Sequence, residues 1–260
     1  LVGSEMCIRD RLTPGGELLL ADAKAMLAGM ALMKSRARGM AAGIESELSV
    51  AVDVMFPMSV LTRTAAVFEK RFPLTPLRLY VEALGGVAKN VLQQQSQIGI
   101  LCNLPISISG LMTERLLAVE MVNVAAPSHP LAMKTAPLGE CDMAQHVQLV
   151  LTDRTELTSG QEFGVHSRRN WRLADLGAKH AFLLAGLGWG GMPLEMVQDD
   201  LDAGRLRELQ LQDIPGRAQI SMSAGYRQDA PPGPAGRWFI EQLKNFAVES
   251  QGVQELKEYA

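Results

Sequence analysis

The stretch "AGLGWGGMP", Ala185 to Pro193, sets three glycines at the spacing Gly186-x-Gly188-x-x-Gly191. That spacing matches the fingerprint that cradles a dinucleotide pyrophosphate. The fingerprint has a mechanical requirement: its glycines follow a strand and open a helix whose amino terminus faces the phosphate. Here the order is reversed. Upstream, "ADLGAKHAFLLAGLG" repeats apolar residues at helical spacing, with Leu176, Leu183 and Leu187 on the pattern and Asp175 where an N-cap belongs. A helix therefore leads into the glycines. Gly186 and Gly188 end it, where the chain needs a left-handed residue. Pro193 then suits the first turn of a new helix, "PLEMVQDDLDAGRL". Helix, glycines, short strand, helix is the wrong frame for a nucleotide.

Composition narrows the classes further. The chain has 260 residues, 47% hydrophobic and 20% charged, which is enough for a sizeable core or two lobes. A net charge of -3 without long like-charge runs argues against a nucleic-acid-binding surface. Cys7, Cys102 and Cys141 are odd in number, far apart and form no C-x-x-C, which fits a reduced, cytoplasmic setting. No apolar run is long enough to span a membrane. "LVGSEMCIRD", residues 1–10, resembles translated sequencing adapter and is set apart from fold reasoning; natural sequence is expected from about Arg11.

Outward from the glycines, strand and helix patterns alternate. From Pro14 to Gly43, Leu19, Ala23, Met26, Met30, Met33, Ala37 and Met40 step by four and three, a heptad seam suited to a partner helix. Strands are expected at Leu48–Pro57, Leu77–Ala83, Ile98–Asn103, Arg115–Ala132, His146–Asp153, Asn170–Asp175 and Ala218–Arg227. "MSVLTRTAAVFEKRFP" reads as an amphipathic helix, "GGVAKNVLQQQ" as a short one, and "AGRWFIEQLKNFAVES" as a closing helix with Phe239, Leu243 and Phe246 inward. The class is α/β.

Three stretches in order then resemble the LysR-type bacterial transcription regulators, over about Arg11 to Glu249. "RLTPGGELLLADAKAML" resembles the family's entry into its dimerising linker helix, "VNVAAPSHPLA" its crossing strand, and "LLAGLGWGGMPLEMVQDDLDAGRL" its late helix–glycine–strand–helix segment. "LQQQSQIGIL", Gly85-Gly86 and the loop "DRTELTSGQEFGVHSRRN" depart from the family's wording. The resemblance implies two Rossmann-like lobes joined by two crossing strands, similar to type II periplasmic binding proteins, behind a long linker helix at 11–43. Lobe I would be 47–122 plus 226–249, and lobe II 123–225. The crossings would lie near Val119–Ala126 and Gln219–Arg227. Nothing before Arg11 could form the family's winged helix-turn-helix. The expected function is therefore that of the effector-sensing and dimerising part of such a regulator, a homodimer or homotetramer, touching DNA only through a missing domain. A free-standing solute-binding protein of the same fold is the alternative.

In open α/β sheets, ligands collect at the carboxyl ends of strands. In lobe I that selects Asp53, Met55, Phe56 and Ser59 after the first strand, Gly85 and Gly86 after the second, and Cys102 and Asn103 after the third. In lobe II it selects Thr152, Asp153, Arg154 and Thr155. Each also has a plainer role: a local cap for Asp53, a solvated charge for Arg154, core packing for Cys102. The expected ligand is a small effector, anionic if two helix amino termini and Arg154 face it, although Asp53 opposes that preference. His129, His146, His166 and His180 lack metal-ligand spacing, and no nucleophile–base set stands out, so no metal, cofactor or catalytic residue is expected.

Overall fold

The computed structural model describes residues 14–104, 108–135, 137–212 and 217–258. Residues 1–10 lie outside them. Nine strands form one mixed sheet in the order β2-β1-β3-β9-β4-β7-β5-β6, with β8 (Arg207–Glu208) beside β4. At one end, β1 (Leu48–Asp53) is flanked in parallel by β2 (Leu77–Glu82) and β3 (Ile98–Cys102). At the other, β5 (Gln148–Leu151) is flanked in parallel by β6 (Asn170–Leu173) and β7 (Trp189–Pro193). Parallel strands with helices on both faces are buried on both sides. This is why β1 and β3 read as almost unbroken apolar runs.

Two long strands join these halves. β4 (Leu111–Ala125) and β9 (Arg217–Arg227) pair antiparallel from Leu111↔Arg227 to Val122↔Arg217, with one bulge between Arg115 and Leu117. β9 gives its outer edge to β3, and β4 gives its own to β7. Their inward residues Leu117, Val119, Val122, Val124, Met222 and Ala224 carry one hydrophobic core from half to half.

The helices cover this frame. α2 (Met58–Arg71) packs on α7 (Pro234–Glu258) through the rings of Phe68, Phe72, Trp238 and Phe239. α3 (Gly85–Leu92) lies beside β1 and β3. In the second half, α4 (Glu140–Ala144), α5 (Leu176–Leu184) and α6 (Leu194–Asp202) complete the layers. Asp175 caps α5 through Ala178 N–H, and Gly186 ends the segment at φ +72°, as the sequence demanded. α1 (Pro14–Ala41) stands apart; Leu19, Met26 and Met33 remain 71%, 72% and 68% exposed.

Several boundaries move. The strand expected over Arg115–Ala132 starts earlier and stops at Ala125, because Pro127 and Pro130 cannot donate to a ladder and the chain turns into a 3-10 segment at Pro130–Met133. Strands expected to end at Asn103, Asp153 and Asp175 end at Cys102, Leu151 and Leu173; Asp175 is withdrawn by its capping role. Pro193 closes β7 in extended conformation, so the new helix opens at Leu194.

Two carboxylates pin the first half. Glu45 accepts the N–H groups of Ala235 and Gly236 at the start of α7, both at 2.9 Å. Glu114 on β4 accepts from Tyr226 and Arg237 at 2.9 and 2.5 Å and from Lys244 at 2.6 Å. Burial alone would raise the Glu114 pKa; the donors Lys244, Arg237 and Tyr226 override it and hold it at about 2, against an ordinary 4.5. A depressed carboxylate stabilises the fold above its unfolded pKa and loses that contribution as pH falls through the folded value. Glu114→Gln is therefore expected to lower the urea midpoint at neutral pH, with the gap to the wild type closing as pH falls from 4.5 toward about 2.

Candidate functional site

The two halves face each other across a cleft at strand carboxyl ends. A cavity of about 430 Å³ opens there. The first half lines it with Val54, Met55, Phe56, Pro57 and Met58 of the β1–α2 turn and with Val81 of β2. The second half contributes Asp175, Leu176 and Gly177 at the start of α5, and Pro193, Glu195 and Met196 at the start of α6. Val119 of the crossing strand forms part of the wall. A smaller pocket of about 190 Å³ lies between Leu84 and the β5 carboxyl end with its following loop, including Thr152, Asp153 and Thr155. A volume of a few hundred Å³ with an apolar wall and a few polar groups is characteristic of small-molecule sites.

The residues selected from the sequence divide among these places. Met55 and Phe56 line the larger cavity, and Thr152, Asp153 and Thr155 the smaller. Asp53 is fully buried beneath the first turn. Its carboxylate accepts Met55 N–H and Leu84 N–H, both at 2.9 Å. Burial dominates and raises its pKa from 3.8 to about 7, although those two donors pull it down. Cys102 is buried in the core; desolvation, with the nearby Asp53, pushes its thiol up to about 12. Neither Cys102 nor Asn103 lines either cavity: Cys102 is buried in the core and Asn103 is exposed outside both. Arg154 is exposed and lines neither cavity, so the cation behind the anionic expectation is not at the wall. Gly86 is buried against Glu82 and offers no side chain.

Two polar contacts join the halves. Ser59, on the first turn of α2, donates to Glu195 on the first turn of α6 at 2.6 Å. Gly85 N–H, opening α3, donates to Asp153 at 2.8 Å. Asp153 also accepts from Thr155 at 3.0 Å and Thr158 at 2.6 Å. A Cβ on Gly85 would lie 2.7 Å from that Asp153 oxygen and 2.8 Å from Thr155, so only glycine lets the loop approach. Leu84 stands at φ +48°, a costly conformation for a branched side chain, of order 1–3 kcal/mol. The turn aims the successive N–H groups of Leu84 and Gly85 at two different carboxylates, Asp53 and Asp153.

Sequence reasoning missed Val81, Val119, Thr158, Pro193, Glu195 and Met196. Glu195 carried a signal, a carboxylate in the first turn of a helix entering from a strand end. Its pairing with Ser59 across the cleft carried none, because a contact 136 residues away leaves no local pattern. Among the described residues no group of three or more His, Cys, Asp or Glu is placed to hold a metal ion.

Asp153→Ala removes the acceptor for Gly85 N–H and two threonine hydroxyls, and is expected to destabilise the protein by about 1–3 kcal/mol in equilibrium denaturation. Asp53 has the opposite pH dependence to Glu114. Its raised pKa favours the fold most below pH 3.8, and that contribution is lost as pH rises through about 7. Asp53→Asn is expected to flatten this part of the stability–pH curve while keeping one of the two acceptors.

The profile of the LysR substrate binding domain matches residues 41–247. The HTH-type transcriptional regulator YeeY of Escherichia coli is 26% identical over 242 residues, 92% of this chain and 78% of that protein. Among solved structures, the effector binding domain of QuiR in complex with shikimate superposes at a TM-score of 0.62, with 13% identity, over 78% of this chain and 97% of that one. The full-length regulator LysG of Corynebacterium glutamicum with bound effector Arg superposes at 0.58, with 19% identity, over 92% of this chain and 80% of that one. The chain is a member of the LysR family and carries its substrate-binding domain.

Proposed function

We propose that this chain is the effector-sensing and dimerising part of a LysR-type transcription regulator, working in the cytoplasm and without a catalytic role. The observation that carries the reading is the 430 Å³ cavity whose wall comes from both halves and from the strand crossing between them. A molecule held there touches residues 47–122 on one side and 123–225 on the other, the two proposed lobes, with 226–249 completing the first. Binding that favours one arrangement of the lobes by a few kcal/mol is enough to shift the population. QuiR with shikimate and LysG with Arg lend support by analogy, since both hold small molecules on this fold.

The change would pass through α1 to a dimer and so to a DNA-reading domain. Leu19, Ala23, Met26, Met30, Met33, Ala37 and Met40 supply the proposed dimer seam, and all seven are exposed. Burying a Leu or Met side chain contributes about 1.5–3 kcal/mol, so a seam left in water forfeits a large driving force. Leu18 and Leu27, outside the strict heptad, are also exposed, at 70% and 66%, which suits a partner that covers more than one stripe.

Two measurements test this. Light scattering is expected to find a dimer or tetramer at roughly 20 μM and a smaller species for the Met26→Lys/Met33→Lys variant; a wild-type monomer would remove the seam. In a thermal-shift screen of metabolites, a true effector at a hundred times its Kd stabilises by about 2.7 kcal/mol. Met196→Trp, which narrows the cavity from a partly exposed position, is expected to abolish that shift while leaving the circular dichroism spectrum unchanged.

A further inference from the structure

We infer that the interlobe cavity is built for an apolar-bodied molecule with a hydrogen-bond-donating head, an amine or a hydroxyl, and not for a carboxylic acid. The inference rests on the cleft reading above and concerns only the chemistry of its occupant.

The amino termini of α2, α3, α5 and α6 approach the cleft, and a carboxylate of the chain stands beside each, Glu195 lying in the first turn of α6 itself. Glu195 reaches the first turn of α2 through Ser59. Asp153 takes the first N–H of α3. Asp175 caps α5. A helix amino terminus favours an anion because it carries unpaired N–H groups and the positive end of the dipole. Here the chain supplies those anions, two of them from the opposite half. An acid entering the cleft meets a carboxylate of the chain beside each of these termini.

The wall of the cavity points the same way. It is made of Val54, Met55, Phe56, Val81, Val119 and Met196, with other apolar and backbone groups. Its only charged residues are Asp175 and Glu195, and no lysine or arginine lines it. Arg172, which lines the smaller pocket, is paired with Glu162 at 2.5 Å. Each carboxylate of the larger cavity accepts one hydrogen bond from the protein and keeps lone pairs for another donor. A ligand carboxylate would meet like charge without a compensating cation on the wall, whereas an ammonium or hydroxyl donates to the groups present.

The test is binding calorimetry on the full chain with compounds matched in body and differing in head group, 2-phenylethylamine, 2-phenylethanol and phenylacetate among them. Each is measured on the wild type, on Met196→Trp and on Glu195→Gln. Amines and alcohols are expected to bind and to lose binding in Met196→Trp, with the matching acids at least about tenfold weaker. Glu195→Gln should weaken the amines by about fivefold, the range for a partly exposed ion pair, and change the alcohols less. If acids prove the tighter cavity ligands, with their binding lost in Met196→Trp, the head-group inference fails and the cleft reading stands. If no compound of any class is sensitive to Met196→Trp, the cleft reading fails and takes the inference with it.

Discussion

The antiparallel pairing of β4 with β9 is the interaction on which everything else in this molecule hangs. Each strand is long enough to serve both halves, and each lends its free edge to a different one. The two parallel sets of strands therefore become one sheet joined at the β4–β9 pair. Hydrogen bonding along the pair is continuous apart from the bulge at Arg115/Leu117. A bulge raises local twist and bends its strand. The halves face each other at their strand ends, where the β1–α2 turn and the starts of α5 and α6 line the cleft.

The cleft then shows a consistent charge logic. Helix termini that would attract outside anions are met by Asp153, Glu195 and Asp175. The first two do more than neutralise, because they belong to one half and bind the other. Across the cleft the halves are thus tied by two charge-assisted hydrogen bonds, which are individually modest. Ties of that size are within the reach of a bound molecule, since a ligand shifts an equilibrium only by its differential affinity. The strained Leu84 sits at the same junction and aims backbone donors at both halves at once.

Much of the frame was legible in the sequence because its signals are local. Asp175 before an apolar period, Gly186 after it, and the valine-rich strands each declare themselves within a few residues. The glycine fingerprint was rejected on the order of elements alone. The site was less legible. Asp53, Ser59, Gly85 and Asp153 were picked out, but the pairings of Ser59 with Glu195 and of Gly85 with Asp153 are set by the approach of the halves, which no short window records. Arg154 shows the limit most clearly. Its place at a strand end made it a candidate, yet the Asp153 side chain turns inward to the threonines while Arg154 remains exposed. Cys102 failed for a different reason: the same apolar pattern that identified its strand also buried its thiol.

The placement of Glu195 has a consequence for how such a protein changes over generations. One side chain both borders the cavity and ties α6 to α2. Any replacement that alters which molecules are accepted also resets how readily the empty protein opens. New ligand preference and altered background output would then be inherited together. A lineage acquiring a different ligand through this position would need a second change, at Ser59 or near Asp153, to restore the original tie between α2 and α6.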